Sequence, residues 1–152
     1  NDKIILKIHR NSRIFIFCEE FRPFARAQGK SFRLEIEPDL MYRGDEHAIR
    51  RLVALLLDNA MKYSDDAGEI SLGLTASGKN TVLTVWNTVR EIPKGNLNRL
   101  FDRFYRLDAS RNSETGGYGI GLSAARAIVE AHGGKISARS PDGHSVRFTA
   151  VL

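Results

Sequence analysis

The chain has 152 residues, 42% of them hydrophobic and 27% charged, and its 23 basic and 18 acidic residues give a net charge of +5. This is the length and make-up of one folded domain with a two-layer core, and it excludes disordered and collagen-like proteins. No apolar run approaches the roughly 18 residues of a membrane helix, and the single cysteine, Cys18, excludes an internal disulfide.

Residues 3–9 (KIILKIH) are short and apolar and predict a strand. Ile14, Phe17, Cys18, Phe21 and Phe24 then recur at helical spacing, with Gly29 as a stop and Pro23 as an interruption. Within this pattern Cys18 reads as a small buried apolar residue of a protein in a reducing compartment. Phe32, Leu34 and Ile36 alternate with Arg33, Glu35 and Glu37, the pattern of a half-buried strand ended by Pro38.

Asp45 suits the N-cap of a second helix running to about Tyr63, with Ile49, Leu52, Val53, Leu56, Leu57 and Ala60 on its apolar face. Two alternating strands around residues 70–74 and 82–86 meet at the turn Ser77-Gly78-Lys79-Asn80 and predict a hairpin. Residues 87–118 carry little periodicity beyond a helical piece near 97–101, and so long a loop in a compact domain is usually functional. Ile120, Leu122, Ala125, Ile128 and Val129 mark a third helix stopped by Gly133-Gly134, and residues 135–140 and 146–152 close the chain as a strand pair. The order predicts an α/β two-layer sandwich, a mixed sheet of five or so strands covered on one face by three helices, in one domain over residues 1–152.

Four of the seven residues of GGYGIGL (116–122) are glycine, and a helix starts within it. Glycine lets backbone bend closely around a ligand, while the helix start aims N–H groups and a positive dipole end at the same point. Both favour an anion such as a nucleotide phosphate. Arg99, Arg103, Arg106 and Arg111 form the one local basic cluster, which suits a polyphosphate; the remaining basic residues are scattered and no nucleic-acid motif is present, so no nucleic-acid partner is expected. Asn59, Lys62 and Tyr63 stand at i, i+3 and i+4 and therefore share one helix face, where an amide oxygen, an ammonium and an aromatic hydroxyl can serve a metal, a phosphate and a base.

Three segments in this order, LLLDNAMKYS (55–64), FDRFYR (101–106) and GGYGIGL, resemble the N, F and G2 boxes of the catalytic, ATP-binding domain of bacterial two-component sensor histidine kinases, a superfamily shared with gyrase-type and heat-shock chaperone ATPases. The resemblance covers nearly the whole chain and implies a Bergerat-type ATP-binding fold. It implies ATP and Mg2+ as cofactors, with Asn59 as the Mg2+ ligand, Lys62 on phosphate and Tyr63 near the adenine. Further nucleotide contacts are implied for Asn87, Ile92, Phe104, Tyr105, Arg106, Arg111, Gly117, Gly119, Ile120, Gly121 and Leu122. Phe101, Phe104 and Tyr105 either anchor the loop or cover the nucleotide, and Arg103 either joins the phosphate site or pairs with Asp102 or Asp108.

The family's phosphoacceptor histidine lies on a preceding dimeric helical hairpin. His9, His47, His132 and His144 do not stand in that motif, and His47 and His132 read as structural. The resemblance thus implies a cytoplasmic fragment of a membrane-anchored receptor, with the hairpin and a response-regulator receiver domain as partners and little kinase turnover on its own. The G1 box, Asp-x-Gly-x-Gly, falls on VWNTVREIP (85–93), with Asn87 at the aspartate position, Val89 at the first glycine and Glu91 at the second. If left-handed backbone is required at Val89, strain of about 1–3 kcal/mol follows, and nucleotide binding weakens by roughly one to two orders of magnitude. The alternative reading is a degenerate, pseudokinase-like module that acts by docking to the hairpin or the receiver domain.

Overall fold

The computed structural model describes residues 3–8, 12–105, 107 and 121–152. Six strands form one mixed sheet in the order β2-β4-β5-β8-β7-β6. These are β2 (Ser31–Ile36), β4 (Glu69–Ser77), β5 (Asn80–Thr88), β6 (Gly95–Asn96), β7 (Lys135–Ser140) and β8 (Ser145–Val151). β2 runs parallel to β4, and every other neighbouring pair is antiparallel. A separate two-stranded sheet joins β1 (Ile4–Ile8) to β3 (Leu40–Gly44). The helices are α1 (Arg13–Glu19), α2 (Arg22–Ala27), α3 (Glu46–Tyr63) and α4 (Gly121–Ala131), with one 3-10 turn at Asn98–Phe101.

Alternation decides which sheet face is covered. Ile70, Leu72 and Leu74 of β4 and Leu83 and Val85 of β5 are buried, whereas Val82, Thr84 and Trp86 on the opposite face of β5 are only half-buried. α3 answers with Ile49, Leu52, Val53, Leu56, Leu57, Ala60 and Met61, all buried, and packs beside α4. Asp45 caps α3 as its residue type suggests, its carboxylate accepting from the Ala48 N–H at 3.2 Å. His132, just past α4, uses both ring nitrogens: Nε2 accepts from the Asp45 N–H at 3.2 Å, which leaves Nδ1 to donate to the Ile128 carbonyl at 2.9 Å. That structural tie fixes the end of α4 against the start of α3.

The structure differs from the sequence-based architecture at two points. The single helix expected before Gly29 is two, because Pro23 lacks an N–H and its ring collides with the carbonyl four residues back; α1 ends at that residue, Glu19, and Pro23 sits in the first turn of α2, where it is tolerated. The main sheet has six strands among the described residues, in keeping with the five or so expected, β6 being a two-residue strand inside the long loop. β3 was not anticipated: five residues between Asp39, which turns the chain at φ 56°, and the cap Asp45 offer too short an alternation. Cys18 is buried in the core and its thiol is pushed up to about 12, chiefly by burial, so it is an inert apolar filler.

Candidate functional site

The end of α3, the start of α4, the segment after β5 and the loop after the 3-10 turn enclose a cleft of about 800 Å³, the size of a small-molecule site. Asn59, Lys62 and Tyr63 line it from α3, Ile92 and Tyr105 from the loop, and Gly121 and Leu122 from α4. Seven of the expected residues thus meet around one space. Leu55 and Asp58 of α3, Val89, Arg90, Glu91 and Pro93 after β5, and Val146 and Phe148 of β8 complete most of the wall. Val146 and Phe148 escaped sequence reasoning because a strand's inward residues look alike whether they face core or cavity.

The long loop is held at several points before it reaches the cleft. The Val89 and Ile92 N–H groups donate to the His144 and Gly143 carbonyls at 2.9 Å each. Asn98 accepts from the Ala138 N–H at 2.8 Å and fastens the 3-10 turn to β7. Phe101 is the anchor, 1% exposed and edge-on to Phe148 with ring centroids 6.0 Å apart. Phe104, by contrast, is 62% exposed at φ 67°, beneath the Arg103 guanidinium, and is not among the residues lining the cleft. Tyr105 lines the cleft with the Arg99 guanidinium 4.5 Å from its ring centre. Asp102 pairs with Arg126 of α4 at 3.5 Å rather than with Arg103. Arg106, Arg111, Gly117, Gly119 and Ile120 lie outside the described residues.

Two expectations about the β5 end meet the geometry differently. Asn87 is fully buried and is not itself a lining residue, although its flanking neighbour Val89 and its cross-strand partner Val146 are. Its Nδ2 donates to the Thr88 carbonyl at 3.0 Å, while Oδ1 is a buried acceptor with no partner among the described residues. Unpaired buried acceptors cost free energy and point to a partner still to come. Val89 does not take the left-handed backbone that strain required: the positive-φ residues other than glycine are Asp39, Ala67 and Phe104 among those described. The strain expected at Val89 is absent; its methyls are simply a buried, apolar part of the wall.

Behind the cleft, the end of β5 is tied to the end of α3. Thr88 Oγ1 donates to the Asp65 carboxylate and accepts from the Glu69 N–H at 3.0 Å. A Cβ at Gly68 would collide with both of these side chains, so this junction demands glycine. Among the described residues, no three His, Cys, Asp or Glu side chains cluster to hold a metal. The cleft offers instead the Asn59 amide with the adjoining Asp58 carboxylate, which fits Mg2+ held jointly by protein oxygen and phosphate.

Comparison with known proteins agrees with this arrangement. A family model described as histidine kinase-, DNA gyrase B- and HSP90-like ATPase matches residues 44–152. The sensor protein VanS of Enterococcus faecium is 39% identical over 127 residues, 84% of this chain and 33% of that protein. The probable sensor protein PcoS of Escherichia coli is 41% identical over 134 residues, 88% of this chain and 28% of that one. The chain therefore spans a third or less of the length of these relatives. Among solved structures, the catalytic domain of the histidine kinase ThkA in a nucleotide-free form superposes with a TM-score of 0.81 at 24% identity, covering 100% of this chain and 95% of the other. In fold the chain agrees over its whole length with a histidine kinase catalytic domain, and, matched by the family model over residues 44–152, it belongs to the histidine kinase-, DNA gyrase B- and HSP90-like ATPases.

Proposed function

We propose that the cleft binds ATP with Mg2+ and presents the γ-phosphoryl group to a histidine on a separate dimerisation hairpin. In that transfer the bond to the β–γ bridging oxygen breaks, a bond to an imidazole nitrogen forms and ADP leaves. The observation that carries the reading is the convergence of Asn59, Lys62 and Tyr63 on one cleft, with the buried acceptor Asn87 Oδ1 just behind its wall, beside the lining residues Val89 and Val146 and without a partner among the described residues. An adenine amino group would satisfy that acceptor, Tyr63 and Ile92 offer apolar surface to the base, and Lys62 offers a cation to phosphate. Bound Mg2+ would neutralise phosphate charge, and Asn59, with Asp58 beside it, would hold it. Arg106, Arg111, Gly117, Gly119, Ile120, Gly121 and Leu122 would form the phosphate side, and Phe104 would cover the bound nucleotide from its exposed position.

The chain is read as one catalytic domain of a longer receptor, lying on the cytoplasmic side of a membrane anchor. Without the phosphoacceptor hairpin it is expected to bind nucleotide yet turn over little, since phosphoryl transfer depends on positioning the acceptor. A structure of ThkA in complex with the response regulator protein TrrA makes a receiver domain the natural second partner to test.

The direct test is calorimetric titration of the 152-residue chain with AMP-PNP and with GMP-PNP, each with and without Mg2+. Saturable AMP-PNP binding in the micromolar to low millimolar range is expected, strengthened by Mg2+. The guanine analogue should bind about tenfold more weakly or worse, because it offers an acceptor where Asn87 Oδ1 needs a donor. Mg2+ alone should give no saturable signal. Absence of AMP-PNP binding would favour the docking-module alternative.

Val89 gives a second prediction. With no strain to release, Val89→Gly is expected to leave nucleotide affinity within about threefold, instead of raising it tenfold. The lost buried methyls and the added chain freedom should lower stability by about 2 kcal/mol in urea unfolding.

A further inference from the structure

Lys30 stands behind the cleft, where no nucleotide contact is assigned. Its backbone is set by the close of α2: Gly29 turns at φ 69°, its N–H donates to the Arg26 carbonyl at 3.0 Å, and the Lys30 N–H donates to the Ala25 carbonyl at 2.9 Å. That paired closure is the Schellman arrangement, and it directs the chain out of α2 along one path. From there the Lys30 ammonium crosses to the end of α3 and donates to the Met61 carbonyl at 2.8 Å and the Ser64 carbonyl at 3.2 Å.

These carbonyls need an outside partner. The last four carbonyls of a helix lack the N–H of a following turn. At the end of α3 the Ser64 N–H still serves the Ala60 carbonyl at 3.0 Å, but the Asp65 N–H turns away to the Thr88 carbonyl at 3.4 Å. The Met61 carbonyl is thereby left to Lys30, whose charge also sits at the negative end of the helix dipole. Between the two bonded carbonyls come Lys62 and Tyr63, which line the cleft, whereas Lys30 does not.

We propose that Lys30 is a positioning residue: it fixes the last turn of α3 from behind, so that Asn59 and Lys62 meet the Mg2+–phosphate part of the nucleotide in register. The inference rests on the proposed ATP site. It predicts a larger loss for the nucleotide than for the base, because Tyr63 is the one base-side residue in that turn, and the other walls there come from the segment after β5 and from β8.

The experiment compares the 152-residue chain with Lys30→Met and Lys30→Arg by titration with AMP-PNP plus Mg2+, and separately with adenosine. Lys30→Met should weaken Mg2+·AMP-PNP binding about five- to twentyfold while adenosine binding changes less than about twofold. Lys30→Arg, which keeps the charge and donors, should restore the nucleotide to within about threefold of wild type. A merely structural lysine would lower the melting temperature of Lys30→Met and leave the ratio of the two affinities at the wild-type value; that result would overturn the role. If Lys30→Met does not fold, Lys30→Gln, which keeps an uncharged NH2 donor group on a shorter stem, is read on the same ratio. A wild-type chain that binds neither ligand overturns the ATP site and this role together, whereas wild-type binding with an unchanged Lys30→Met ratio overturns the role alone.

Discussion

Asn59→Ala is expected to weaken Mg2+·AMP-PNP binding about 10- to 100-fold while leaving Mg2+-free binding within about threefold. Asn59 lines the cleft one helical turn from Lys62 and Tyr63, and no cluster of acidic or imidazole ligands stands in for it among the described residues. A metal in this cleft would draw its oxygens from this amide, from Asp58 and from phosphate, so losing the amide should abolish the metal-dependent part of the affinity. Stability should move the other way. Position 59 is half-buried inside α3, where alanine is a better helix former than asparagine by roughly half a kcal/mol. Weaker metal-dependent binding in a protein that melts no lower than wild type separates a ligand from a packing residue. If Asp58→Ala removes the Mg2+ dependence and Asn59→Ala does not, the metal belongs to the neighbouring carboxylate.

The elements that sequence made legible are those in which one period runs long enough to outvote local exceptions. α3 carries six regularly spaced apolar residues behind an aspartate cap, and both its span and its buried face follow from that. The β4–β5 hairpin was readable for the same reason, and Gly78 turns at φ 60° where the sequence places it. Legibility failed where a single residue or a distant partner decides. Pro23 splits one apolar pattern into two short helices, and β3 exists because β1 pairs with it across more than thirty residues. The site divides along the same line. The i, i+3, i+4 patch on α3 is local and could be read, whereas the walls from β8 and the partnerless Oδ1 of Asn87 depend on which strands meet. Val89 failed in a third way: a motif position suggested a backbone conformation, and hydrogen bonding of its N–H to the His144 carbonyl holds another.

The two phenylalanines of FDRFYR are indistinguishable as residue types, and the fold separates them. Phe101→Ala is expected to cost about 3–5 kcal/mol, as for other fully buried aromatic truncations, because it empties a site 1% exposed against Phe148. Against a total stability of roughly 5–15 kcal/mol this is a large fraction, and in a domain of this size it corresponds to a fall in melting temperature of roughly 6–20 °C. Binding should weaken too, since Phe148 lines the cleft and Tyr105 follows Phe101 on the loop that enters it. Phe104→Ala should cost less than about 1 kcal/mol, because the ring lies on the surface beneath Arg103. Phe104→Gly should be neutral or slightly stabilising at φ 67°, where a side chain is strained. Urea unfolding of the three variants decides the matter: comparable losses for Phe101→Ala and Phe104→Ala would mean that the loop is anchored by both rings and that the exposed position of Phe104 is not its resting one.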